Sequence, residues 1–66
     1  MLMTCIKEHR ERLGMTQSEL AKAVGVRRET IVHLENGRYN PSLKLAIDIA
    51  KLFETPVEQL FSFSEE

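Results

Sequence analysis

The sequence contains no tryptophan, one cysteine, two prolines and three glycines in 66 residues. Cys5 alone cannot make an internal disulfide, which points to a reducing compartment. No CxxC or HxxxH pair is present, and Cys5, His9 and His33 are the only candidate metal ligands besides carboxylates. No apolar run approaches the ~20 residues of a membrane span. The opening MLMTCIKEHRER lacks the apolar core of a signal peptide, so the chain is expected to be cytoplasmic. Pro, Gly and Ser are too scarce for a disordered tail. A domain this short buries roughly 60% of its unfolded surface and usually needs a disulfide, a metal or a second subunit. With the first two excluded, oligomerisation is expected. A catalytic cleft with its own supporting residues is hard to build at this size, so no enzyme activity and no cofactor are expected.

Net charge is also small, −1, but unevenly spread. Residues 1–38 carry seven Lys and Arg against five Glu, a net +2, and residues 39–66 carry two Lys against five acids, a net −3. Such asymmetry fits one face for a polyanion, but ordinary surface scatter produces it as readily.

What is present is helical punctuation. Thr4 is placed to cap a first helix that Gly14 ends, and Thr16-Gln17-Ser18-Glu19 has the form of a capping box opening a second, which Gly25 stops. A third helix is expected from about Arg28 to Glu35, closed by Asn36-Gly37. Ser42 caps a fourth, LKLAIDIAKLF, with Leu43, Ala46, Ala50 and Phe53 on one stripe and Leu45, Ile49 and Leu52 on a second. The second stripe is expected to exceed what the chain can cover. Thr55-Pro56-Val57-Glu58 reads as another capping box, with Pro at the first position of a short fifth helix to about Leu60. Phe61-Ser62-Phe63-Ser64 alternates as a half-buried strand does; Met1–Thr4 is too short to assign by itself, and pairing of the two ends stays open at this point.

Residues 17–36 carry the functional signal. Ala21 is a small residue where two helices cross, Gly25 permits a left-handed turn, and Leu20, Val24, Val26, Ile31 and Leu34 lock the pair. These offsets fit a DNA-binding helix-turn-helix; the bland alternative is a generic helical hairpin. Along its whole length the sequence resembles the Cro/repressor (Xre) helix-turn-helix family, and within it the small dimeric cytolysin-repressor-like regulators. The shared residues are Gln17–Ala21, Arg28 with Thr30-Ile31, Tyr39–Leu43, the 55–58 segment and the aromatic tail.

The resemblance implies an all-α, five-helix lambda-repressor-like domain with a small antiparallel sheet from the terminal strands. It also implies a homodimer on a palindromic DNA operator, acting as a repressor, with dimerisation elements at about 1–4 and 56–65. The third helix then enters the major groove, exposing Arg27, Arg28, Glu29, Thr30, Val32 and His33. Arg28 suits guanine, since its guanidinium can pair bidentately with O6 and N7; Arg27 can do likewise or hold a phosphate. Relatives often carry Gln where Glu29 stands; a carboxylate instead accepts from cytosine N4 or orients Arg28. Thr30 and Val32 offer methyl groups to thymine, and His33 is read as solvated or phosphate-side. Arg27 also replaces the Ser that caps this helix in relatives.

Gln17 is assigned a phosphate by the resemblance, as are Asn36, Arg38 and Asn40 of the loop after helix three. Tyr39 either adds a hydroxyl there or packs on helix four. Lys7 and Lys22 are read as solvated. Arg10 and Glu35 fall on inward faces, where a lone charge is costly, and the resemblance implies that they pair with each other. Cys5 and His9, at i and i+4, hint at a metal, but two ligands are too few, and a core cysteine beside a surface histidine is the commoner arrangement. Leu2, Ile47, Val57, Leu60, Phe61 and Phe63 are the expected dimer interface. No residues remain for an effector pocket, so regulation is expected through dissociation, an unidentified regulatory protein or autorepression. An antitoxin acting as autoregulator of a toxin–antitoxin pair is an alternative, though such chains usually add a toxin-wrapping segment. A protein-interaction module that kept the fold is another, though Arg27 and Arg28 argue against it.

Overall fold

A computed structural model describes residues 2–63. The elements are β1 (Leu2–Thr4), α1 (Ile6–Arg12), α2 (Gln17–Val24), α3 (Arg28–Glu35), α4 (Leu43–Phe53), α5 (Val57–Leu60) and β2 (Phe61–Phe63). Five helices and a two-stranded antiparallel sheet thus form the expected architecture. Met1 and residues 64–66, into which the expected dimerisation elements extend, lie outside the described residues.

Local chemistry explains most boundaries. The capping box is complete: Thr16 Oγ1 accepts from the Glu19 amide at 3.0 Å, and the Thr16 amide donates to Glu19 Oε1 at 2.8 Å. Gly25 ends α2 in the left-handed region, φ 75°, a conformation a side chain resists. The turn turns tightly enough for the Val26 amide to reach the Ala21 carbonyl at 3.0 Å. Ser42 Oγ accepts from the Leu45 amide at 3.1 Å and so starts α4.

Two expected caps do not form. Thr4 pairs with Phe61 in the sheet, so the N-cap of α1 falls to Cys5, which makes no side-chain cap bond. Thr55 Oγ1 donates to the Phe53 carbonyl at 2.9 Å, satisfying the end of α4 instead of opening α5. Pro56, extended at ψ 145°, is then the N-cap of α5 and not its first helical residue.

The core joins every element. Ile6, Leu20, Ile31, Leu34, Ile49 and Leu60 are the largest fully buried side chains, with Leu2, Leu45, Ala50 and Phe53 beside them. Helix α2 packs on α3 through Leu20, Ala21, Ile31 and Leu34, the lock of the helix-turn-helix. The expected stripes of α4 are corrected. Leu45 and Ile49 of the second stripe are buried with Ala46, Ala50 and Phe53, whereas Leu43 of the first is 74% exposed. As the first residue of α4, Leu43 lies beyond the core the other helices enclose.

A three-residue, two-stranded sheet is marginal by itself. Here Leu2 enters the core and opposes Phe63, Met3 opposes Ser62, and the Cys5 amide continues the pairing to the Leu60 carbonyl at 2.9 Å. His9 and Cys5 reverse the expected placement: Cys5 is exposed, while His9 is half-buried and stacks on Phe53 with ring centroids 5.7 Å apart. His9 Nδ1 bonds the Cys5 carbonyl at 2.8 Å, so the i, i+4 spacing serves the backbone. Among the described residues no three His, Cys, Asp or Glu side chains converge to hold a metal ion. Among the same residues no helix is long and apolar enough to cross a membrane.

Candidate nucleic-acid interface

Helix α3 buries Ile31 and Leu34 and turns its other side outward. Arg27, Arg28, Glu29 and His33 are exposed, with Thr30 and Val32 half-buried among them. Arg27 is the N-cap, in extended conformation, and makes no side-chain cap bond. Beyond α3 the loop carries Asn36, Arg38, Tyr39 and Asn40, all exposed. The Arg38 amide reaches back to the His33 carbonyl at 2.9 Å, fixing the first turn of that loop. Tyr39 is thus not a buried packing ring.

Behind this surface runs a chain of charge and dipole. Arg10 Nε donates to Glu35 Oε2 at 2.7 Å and Nη2 to Oε1 at 3.3 Å, a two-pronged ion pair whose side chains are 9% and 5% exposed. Arg10 Nη1 donates to the Met15 carbonyl at 2.8 Å, so one guanidinium ties α1, the α1–α2 loop and α3. The hydrogen bond that it donates to Glu35 holds the Arg10 guanidinium above its usual pKa, outweighing burial, which lowers it. No buried side-chain nitrogen or oxygen among the described residues lacks a partner.

Gln17 extends the chain to the surface. Its Nε2 donates to Glu35 Oε1 at 3.1 Å, and its Oε1 accepts from Arg28 Nη2 at 3.3 Å. The amide dipole lies between a carboxylate and a guanidinium, aligned with both. Sequence reading placed Gln17 at the edge of the site but missed both of these bonds, which join residues 18 and 11 positions apart. One Gln17 N–H and four of the five Arg28 N–H groups remain uncommitted by these bonds.

A helix-turn-helix family pattern matches residues 6–60, five-sixths of the chain. The chain belongs to the Xre-type helix-turn-helix family. An HTH-type transcriptional regulator of Archaeoglobus fulgidus, itself uncharacterized, is 62% identical over 65 residues, 98% of this chain and 92% of that one. The cryptic phage CTXphi transcriptional repressor RstR of Vibrio cholerae is 31% identical over 65 residues, 98% of this chain and 59% of its own. The crystal structure of the restriction-modification controller protein C.AhdI from Aeromonas hydrophila superposes with a TM-score of 0.73. It is 26% identical, over 82% of each chain.

This helix-turn-helix protein is therefore a transcriptional regulator with a DNA-binding domain. A surface depression of about 640 Å³ between α2 and α4 is open and includes none of the α3 or loop residues above. A second depression of the regulator is apolar, about 280 Å³. It is lined by Leu2, Phe61 and Phe63 of the sheet together with Asn40, Pro41, Leu43, Ala46 and Val57. Of the six expected interface residues, four line this groove: Leu2, Val57, Phe61 and Phe63. Ile47 is partly exposed on α4. Leu60 is corrected: at 1% exposure it is spent in the protomer's own core. Leu43 is the interface candidate that sequence reading missed, because a helical wheel shows stripes but not which end of a stripe runs past the core.

Proposed function

We propose that this regulator is a repressor, acting in the cytoplasm as a homodimer on a palindromic operator, with α3 in the major groove of each half-site. The observation that supports this best is the outward face of α3, Arg27, Arg28, Glu29 and His33, backed by the fixed Gln17 amide. Arg28 reads guanine with its free N–H groups, and the Gln17 bond limits the rotamers it loses on binding. Glu29 accepts from a cytosine amino group, Arg27 takes a base edge or phosphate, and Thr30 and Val32 meet thymine methyls. Gln17, Asn36, Arg38, Tyr39 and Asn40 flank α3 and take phosphates; the free amides at the start of α2 suit an anion.

The twofold interface is the apolar groove with its rim. Phe63, 68% exposed, and Leu43 project beside a cavity free of charged residues, so the same face offers both knob and hole. Seated on a promoter, such a dimer represses by occlusion.

Selection of bound duplexes from a random pool at near-physiological salt tests the reading. A palindrome with half-sites about 34 Å apart, one turn, is the expected product. Enrichment of a lone half-site by a monomeric protein would refute the dimer, and no enrichment by folded protein would refute sequence-specific repression.

A further inference from the structure

The open depression between α2 and α4 has a charge unlike that of the chain around it. It shares Val24, Gly25, Lys44 and Asp48 with a neighbouring depression of about 290 Å³, so the two form one trough. The trough follows α4 from Ser42 to Leu52, a length of about 15 Å at 1.5 Å per residue. The spacing of Lys44, Asp48, Lys51 and Leu52 puts them on one face of α4, and Lys22, in the last turn of α2, lines the trough too. Lys44 and Lys51 are the only basic residues of 39–66, a segment of net charge −3, and both are here. Lys44 donates to Asp48 Oδ2 at 2.7 Å, which occupies the one carboxylate of the trough. Among the described residues Lys22 and Lys51 have no ion-pair partner. Beside these two free cations lie apolar side chains: Ala23 is exposed, Val24 half-buried and Leu52 37% exposed.

We propose that this trough docks an acidic segment of a second protein, whose carboxylates pair with Lys22 and Lys51 while an apolar side chain rests on Val24 and Leu52. Charge complementarity calls for an anion. A phosphate backbone would satisfy the lysines but offers nothing to the apolar residues, whereas an acidic peptide matches both. None of the residues assigned above to bases, phosphates or the apolar groove lines the trough. Partner and DNA are therefore held without sharing a residue, and docking requires neither the dimer nor the operator. The regulatory protein expected from the sequence thus has a seat of stated chemistry. Exposed ion pairs are individually weak and screened by salt, so the partner binds reversibly and most tightly at low ionic strength.

The probe is a capped synthetic peptide of Glu residues around one Leu, titrated at low salt into the isotopically labelled full chain. The amide resonances of Lys22, Ala23, Lys51 and Leu52 should shift first, and the same peptide with Lys in place of Glu should move none of them. Lys22→Glu and Lys51→Glu should each weaken the acidic peptide by about three- to tenfold, the worth of turning one exposed ion pair from attraction to repulsion. Lys7→Glu makes the same change of net charge from the exposed side of α1 and should leave binding as it was. Because Glu in the last turn of α4 also opposes the helix dipole, Lys51→Gln repeats the test without that penalty and should give a smaller loss. Far-UV circular dichroism checks that every variant is folded. No shift at these amides, shifts confined to α3 and its loop, or equal weakening by Lys7→Glu would each overturn the docking site. A random-sequence duplex that moves the same amides ahead of those of α3 would overturn it in favour of a phosphate backbone. The operator selection above reads none of these amides, so the two readings fail separately.

Discussion

Replacing Arg10 by Met tests the buried network directly. The substitution keeps an unbranched side chain of helical propensity but deletes both bonds to Glu35 and the bond to the Met15 carbonyl. Glu35 then keeps only the Gln17 amide as partner, with its carboxylate almost wholly out of water. Removing one member of a buried pair costs about 3–5 kcal/mol. A 66-residue domain has a total stability of about 3–10 kcal/mol, so Arg10→Met should be at the edge of folding. At roughly 4–8 °C per kcal/mol, the melting temperature should fall by at least about 12 °C. Urea titration followed by circular dichroism at 222 nm measures the loss. The double variant Arg10→Met/Glu35→Leu should recover more than half of it, because the stranded charge is gone. A loss below about 1 kcal/mol for Arg10→Met, or a double variant as unstable as the sum of the singles, would refute the reasoning.

Arg28→Ala should leave the melting temperature unchanged and weaken binding to the selected operator by about 1–3 kcal/mol; Arg28→Lys should not restore it, since an ammonium lacks the fork. Equal affinity by fluorescence anisotropy would remove Arg28 from base reading. Gly25→Ala meets open space and should cost only the left-handed backbone penalty, about 1–2 kcal/mol. Gly37→Ala adds the clash with Leu2 and should cost clearly more, so equal melting temperatures for the two would show that β1 does not press on that turn. Thr16→Ala breaks a formed capping box and should cost about 1 kcal/mol. Glu58→Ala, in a box that does not form, should stay within about 0.5 kcal/mol in the same denaturation assay.

Much of this protein was legible residue by residue, where cause and effect lie within one turn of chain. The Thr16–Glu19 box, the left-handed Gly25, the span of α3 and the Ser42 cap involve groups at most four residues apart. Period-two alternation at Phe61–Phe63 likewise announced a strand, and only the shortness of the N-terminal segment left its pairing open. The outward residues of α3 followed from knowing which of its side chains, Ile31 and Leu34, had to be inside.

The tertiary structure decided what local rules left with two answers. Thr4 and Thr55 are both good caps by type, yet Phe61 claims the first for the sheet and the Phe53 carbonyl claims the hydroxyl of the second. Cys5 and His9 exchanged places because the ring of Phe53, 44 positions beyond His9, offered a stacking surface. Leu60 and Leu43 are equally apolar in sequence, but one meets the core and the other overshoots it. Gln17 shows the same division most clearly. The sequence by itself placed it at the start of α2, where an anion is favoured. Its bonds to Glu35 and Arg28 exist only because α2 folds onto α3, since a side chain's partners are set by which distant groups the packed core brings within 3.3 Å.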